Sequence, residues 1–486
     1  MKKPLPARPF AVLVAVSALI LATLSGCGGS STSPVVSNPL SAAAPMVVTV
    51  SDAPLGNILS ARVTLSSVTL GSATTGSTPV SVVSSPVTVE LSGLGAVQEP
   101  IEISSLAQGT YNSVTLTVSA ATVVYTSSSG QMVTATATLA SPTITVALSP
   151  GLVVNSTSEL QLQLAFNLAQ SFSITGSTVS FTPAINTAGA QVGSEAPGDR
   201  QVEVTGNVVS VSSSSISVQS GDSGKQFTFT VNGSTQLPTG TTISSIATGD
   251  IVQVQGQTQT DGSILATSIT LESTQSSAGG QDQNGAKGIV LAVTQNSTGG
   301  IASFTMLPRE DFGSSLSGSS GSLTVNLSSS TTYAIPEDAQ QAGLTASSFT
   351  AADIFPGESV TVSGAASGSA ALNATQIMLA AESIPATLVA APSGTAPDFS
   401  FSLTIAVPSF LTTYSNLVTL SGTTNSATEY GNGLSQSGFA ALAAGASVEV
   451  HGYLLQTSSG TFALYATKIA QIEAPQPPEG GSSGDN

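Results

Sequence analysis

Charge is what this sequence has least of. Only 7% of its 486 residues are Asp, Glu, Lys or Arg, against about 25% in an ordinary soluble domain, so its solubility rests largely on Ser and Thr hydroxyls. Cations are scarcer still: nine Lys and Arg face 26 Asp and Glu, a net charge of −17. Three of the nine, Lys2, Lys3 and Arg8, lie in a terminal segment with the layout of a leader that is removed. The balance argues against nucleic acid and anionic surfaces as partners, because both are bound through clustered Lys and Arg. Tryptophan is absent and tyrosine numbers seven, which weakens sugar binding by ring stacking. A single histidine, His451, leaves any Ser-His or histidine-rich metal site with one ring to work with. A single cysteine, Cys27, excludes an intramolecular disulfide.

The surroundings of that cysteine explain it. A basic start (Met1-Lys2-Lys3, Arg8) precedes an apolar run from Phe10 to Ala22, too short for a comfortable membrane span and laid out as a secretory signal. The run ends in Leu24-Ser25-Gly26-Cys27, which resembles the lipobox of bacterial lipoproteins. The resemblance implies that Cys27 is lipidated on sulfur and becomes the new N-terminus, holding the body at a membrane through acyl chains. Gly28-Gly29-Ser30 follows in place of an aspartate, which resembles outer-membrane sorting. Residues 1–27 therefore read as signal and lipobox, and 28–45, rich in Ser, Pro and Gly, as a flexible tether.

What the chain does contain is alternation. Hydrophobic residues make up 40%, enough to bury cores. Val48 and Val50, Val63 and Leu65, then Val68 and Leu70 recur at period two, with a slip at Ser66-Ser67 that predicts a bulge. Val114 to Val118 and Leu160 to Leu168 continue the pattern. One wet and one buried face per strand predict an antiparallel β-sandwich over 46–188. Ser51-Asp52-Ala53-Pro54 has the makings of a turn capped by Asp52, and Gly109-Thr110-Tyr111 reads as a tight turn into a strand. On these motifs the region resembles a lipoprotein domain of unknown function, the 4382 family, for which no reaction is implied.

The second half repeats itself. Gly249-Asp-Ile-Val-Gln-Val-Gln-Gly256, Gly357-Glu-Ser-Val-Thr-Val-Ser-Gly364 and Gly445-Ala-Ser-Val-Glu-Val-His-Gly452 are one strand written three times. Each is followed by Ala-Thr-x-Ile, at Ala266, Ala374 and Ala466, and preceded by a hydroxyl-rich landmark around Thr235, Thr331 and Thr428. In the first copy, strands are predicted at 202–211, 215–219 and 226–232, a turn or short helix at 242–248, and strands at 250–256 and 263–271. That is the order of a five-stranded OB-like barrel. The copies resemble domain of unknown function 5666, again with no reaction implied. The predicted architecture is all-β: the sandwich, then three OB-like small β-barrel repeats at 201–273, 286–381 and 384–473, and a disordered tail at 474–486. Polar, glycine-rich linkers are expected at 189–200 and 273–285, with insertions near 307–321 and 390–416.

Candidate chemistry is sparse. His451 takes the slot of Gln255 and Ser363 in the other copies, so it is expected to face solvent. Gly221-Asp222-Ser223-Gly224 is similar to the segment around a chymotrypsin-like nucleophile, yet it joins two strand patterns and reads as a hairpin turn. Glu310-Asp311, Glu337-Asp338 and Asp222 with Asp261 lack the alternating spacing of a calcium loop. Tyr430, Tyr453 and Tyr465 cluster in the third repeat and form the one candidate ligand site, with core or edge packing the favoured reading of the same residues. The expectation is a non-catalytic cell-envelope protein, secreted and membrane-held through its lipid. It has no cofactor or metal and does not bind nucleic acid; its role is structural or an interaction with an envelope protein or polysaccharide. The alternative is a binding module for a small polar ligand or glycan in repeat 3.

Overall fold

The computed structural model describes residues 43–472, apart from 54–56, 95–96, 128, 156–159, 192–200, 239, 260, 274–283, 313–320, 346–347, 369, 407–408, 432 and 457–460. The signal, Cys27, most of the tether and the tail lie outside the described residues. Among these residues no helix is long and apolar enough to cross a membrane.

The first module is a sandwich. One sheet runs in the order Ile185–Gln191, Leu160–Asn167, Ala44–Ala53, Glu99–Leu106. The other is built on two long strands, Ile58–Ser72 and Gly109–Thr126, flanked by Val80–Val83, Val87–Glu90, Met132–Thr136 and Thr143–Val154. Alternate residues of both sheets (Val48, Val63, Leu65, Leu116, Leu162, Leu164) meet in one core. The predicted slip falls at Leu65/Ser67, where the register shifts. Two expectations need correcting. The sandwich is mixed, not antiparallel throughout, because Ala44–Ala53 and Leu160–Asn167 pair in parallel, Met46 opposite Leu160. The chain between them builds the opposite sheet and also adds Glu99–Leu106 to this one before it returns, the kind of long crossover a parallel pair requires. The module also begins at Ala44 and ends at Gln191, slightly beyond the limits read at 46 and 188.

Three five-stranded barrels follow. In the first, Gln201–Val211, Ser215–Ser220 and Gln226–Thr230 form a meander; a 3-10 turn at Ile243–Ser245 leads to Ile251–Thr258 and Ile264–Ser273. The third strand pairs in parallel with the fifth, Phe229 opposite Ile264, and the fourth closes on the first. The same cycle recurs with Thr324 parallel to Ala371 in the second barrel and Ser421 parallel to Ala463 in the third. These barrels open with Asn284–Gln295 and Glu382–Leu388. Only Ala380 and Ala381 separate the last strand of the second barrel from the first strand of the third.

The repeat signature has a physical basis at each end of the fourth strand. The leading glycines, Gly249, Gly357 and Gly445, sit at φ +90°, +99° and +83°, a region costly for any residue with a Cβ. The closing glycines lie where the fourth strand bulges against the fifth: a Cβ on Gly364 would stand 2.1 Å from the Asn373 carbonyl oxygen, and one on Gly452 2.3 Å from that of Tyr465.

Candidate functional site

The modules share their interiors at the seams. Leu59 and Val124 of the sandwich, Ile289 and Leu307 of the second barrel and Phe410 of the third make one small apolar cluster. Tyr453 and Leu455 of the third barrel pack into the core of the second. Beside these apolar contacts lie the charges. All five cations among the described residues sit at module boundaries. Arg62 of the sandwich donates to the Arg309 carbonyl at 2.7 Å. Arg309 of the second barrel donates to the Leu59 carbonyl at 2.8 Å and to both carboxylate oxygens of Glu382 in the third barrel at 3.1 Å. Lys225 of the first barrel meets Glu102 of the sandwich at 2.9 Å. Lys287 of the second stands 3.9 Å from Glu203 of the first and 3.7 Å from Glu310. Lys468, 5% exposed, lines a cleft facing the first barrel.

Where the four modules meet they enclose a cavity of about 40 Å³, lined among others by Glu90, Glu99, Glu203, Asp222, Lys287 and Glu310. Burial first, and the Asp222 charge second, push the Glu99 carboxyl well above its usual range. Burial raises Glu310 to about 7 in spite of Lys287 beside it. Burial pulls the Lys287 ammonium down, but Glu310, Glu203 and Glu272 outweigh it, and the lysine stays charged. Asp222 does form the expected hairpin turn, between Ser215–Ser220 and Gln226–Thr230. It also reaches across the seam to accept from the Glu90 backbone N–H at 2.7 Å.

His451 is not solvent-facing. It is 7% exposed, and its Nδ1 lies 2.9 Å from the Ser383 hydroxyl. Alternation puts this position on the outside of its own barrel, but the first barrel and the sandwich cover that outside. Burial holds the imidazole at a pKa of about 4, neutral and weakly basic at pH 7, a poor general base.

Of the three tyrosines, Tyr453 and Tyr465 are opposite each other on paired strands, while Tyr430 packs elsewhere. Tyr453 is 1% exposed, with its hydroxyl donating to Asp338 at 2.5 Å; Tyr430 packs against Phe439; Tyr465 packs on the second barrel's core. They pack at module cores and seams and offer no stacking platform. Among the described residues no three His, Cys, Asp or Glu side chains are placed to hold a metal ion.

What lies open instead is a polar cleft of about 310 Å³ between the first and third barrels, with the helix Glu337–Gln341 of the second at one end. The first barrel lines it with Gln201, Gln236, Gln255, Thr267 and Ser268; the third with Thr428, Glu429, His451, Thr467 and Lys468. These are the same repeat positions seen twice. Gln255 corresponds to His451, Thr267-Ser268 to Thr467-Lys468, and Gln236 to Glu429, so one face of the repeat confronts its own counterpart.

Comparison with known proteins fits the modules. Residues 43–183 match the domain of unknown function DUF4382. Residues 205–270 and 415–470 match DUF5666. The second barrel lies outside both DUF5666 matches, yet it has the same strand cycle and the same landmark bond, so the repeat is structurally threefold. No curated protein matches the chain. Two solved structures are similar in part: the single-stranded DNA binding protein from Thermus aquaticus (13% identity, 42% of this chain and 98% of that one, TM-score 0.17) and a deletion mutant of it (14%, 41%, 97%, 0.18). Overlap at TM-scores this low carries no argument.

Proposed function

We propose that the chain is a non-catalytic, lipid-anchored protein of the cell envelope, held in the outer membrane through Cys27, whose β modules form one stiff body with a structural or interaction role. The observation that carries this reading is the placement of charge: four of the five cations of the described residues tie one module to another, and the fifth, Lys468, lines the cleft between two, so the barrels are braced against the sandwich. The single histidine, buried and neutral, is a poor general base, which favours a non-catalytic role. The anchor is tested by growing cells with an alkyne-bearing fatty acid. The native chain is expected to take up label and fractionate with membranes, and Cys27→Ser to do neither; a Cys27→Ser chain that still labels overturns the anchor. A second reading, a binding module for a small polar ligand or glycan, is favoured by the polar cleft between the first and third barrels, which no tyrosine lines.

A further inference from the structure

We infer that the cleft between the first and third barrels is a binding site for a small neutral polyhydroxylated ligand, a sugar of one or two rings, held by amide and hydroxyl side chains from both barrels. The inference rests on the second reading above and names its ligand class.

Its size lies at the lower end of ligand pockets, roughly 300 to 1,000 Å³. Its lining is rich in groups that both donate and accept: Gln201, Gln236, Gln255 and Gln341, with Thr267 and Ser268. Several are already held in place from behind, as in a preorganised site. Gln341 donates to Gln236 at 2.7 Å across the barrel boundary, Gln255 to Glu203 at 3.3 Å, and Ser268 to Gln255 at 3.2 Å.

The cleft disfavours an anion. Glu203, Asp338 and Glu429 line it against one cation, Lys468, which lies opposite Glu429 in the strand register, while Lys287 stands 3.9 Å from Glu203. Asp338 accepts from the Tyr453 hydroxyl, and His451 is neutral. No Phe, Tyr or Trp ring lines it, so a nucleobase would lack the stacking platforms it normally finds.

One hydroxyl marks the site independently. The threonines of the Ala-Thr-x-Ile signature normally turn inward: Thr375 donates to the Ser363 carbonyl and Thr467 to the His451 carbonyl, each at 3.1 Å. Thr267 makes no such bond; its buried Oγ1 is unpartnered and its side chain lines the cleft. A buried hydroxyl without a partner costs about 1 to 3 kcal/mol, a cost that a ligand hydroxyl would remove.

The test uses the whole mature chain and saturation-transfer NMR with glucose, galactose, N-acetylglucosamine, maltose and cellobiose, and with inorganic phosphate, glutamate and lysine as charged probes. At least one sugar is expected to bind. Its affinity should fall about tenfold in Thr267→Val, equivalent to about 1.4 kcal/mol, and vanish in Ala427→Trp, which fills the exposed rim without entering a core. Sugar binding that both variants leave intact, with their melting unchanged, overturns the site. Binding of only the charged probes, lost in Ala427→Trp, overturns the sugar assignment and leaves the binding module standing. Silence from every probe overturns both.

Discussion

Three threonines carry the register of the repeats. Thr235, Thr331 and Thr428 each donate to the carbonyl of the signature alanine, at 2.8, 2.9 and 2.8 Å. Each also accepts from a backbone N–H three residues upstream, at Asn232, Ser328 and Asn425. Two separate sequence landmarks are thus the two ends of one hydrogen bond, and the alanine is small because the landmark turn packs against it. Thr331→Val keeps the shape and removes both bonds; Thr331 is 8% exposed and its partner carbonyl is buried with it. The variant is expected to lose about 1 to 3 kcal/mol, read from its urea unfolding midpoint. An unchanged midpoint would mean that the threonine is decoration.

Elements were legible wherever a strand's own pattern decided its fate. The strands of the first barrel fall within two residues of their predicted limits, and the connection read at 242–248 is the 3-10 turn Ile243–Ser245. Illegible were features set by a neighbour. The parallel pairing of Ala44–Ala53 with Leu160–Asn167 depends on a distant partner, which a period of two does not specify. The cover over His451 was illegible for the same reason: alternation tells inside from outside of one barrel, but not whether a second module covers the outside. The linkers are shorter than the readings 189–200 and 273–285: strands run on to Gln191 and Ser273 and resume at Asn284, while the far end of the first linker matches the strand that opens at Gln201. The core clusters give a prediction at this scale. The first barrel's core draws only on its own residues, from Val202 to Ile269, whereas the second's includes Tyr453 and Leu455 from the third. A fragment of 201–273 is expected to show a strand-rich circular dichroism spectrum and cooperative melting, and 286–381 alone to melt lower than 286–473. A coil spectrum from 201–273 would contradict this division.

For the molecule as a whole the buried carboxylates set the response to pH. Burial raises Glu272 and Glu310 to about 7 and Asp311 and Asp338 to about 6. In the unfolded chain such groups titrate near 4, so between these limits the native state holds more protons and stability falls as pH rises through 6 to 7. His451 acts oppositely, its native pKa of about 4 lying below the unfolded value, so its contribution is lost as pH falls through about 6.5 to 4. Four carboxylates outweigh one imidazole. The urea midpoint is therefore expected to be higher at pH 5.5 than at pH 8, and the reverse order would show that these acids are ionised at no cost in the native fold.

Drawing the described cations into the seams leaves the periphery to acids such as Asp261 and Asp398, both exposed. With a net charge of −17 the chain repels an approaching anion, an effect felt within a screening distance of about 8 Å in physiological salt. Anionic polymers would be held off by it, and close contact is left to uncharged or cationic companions.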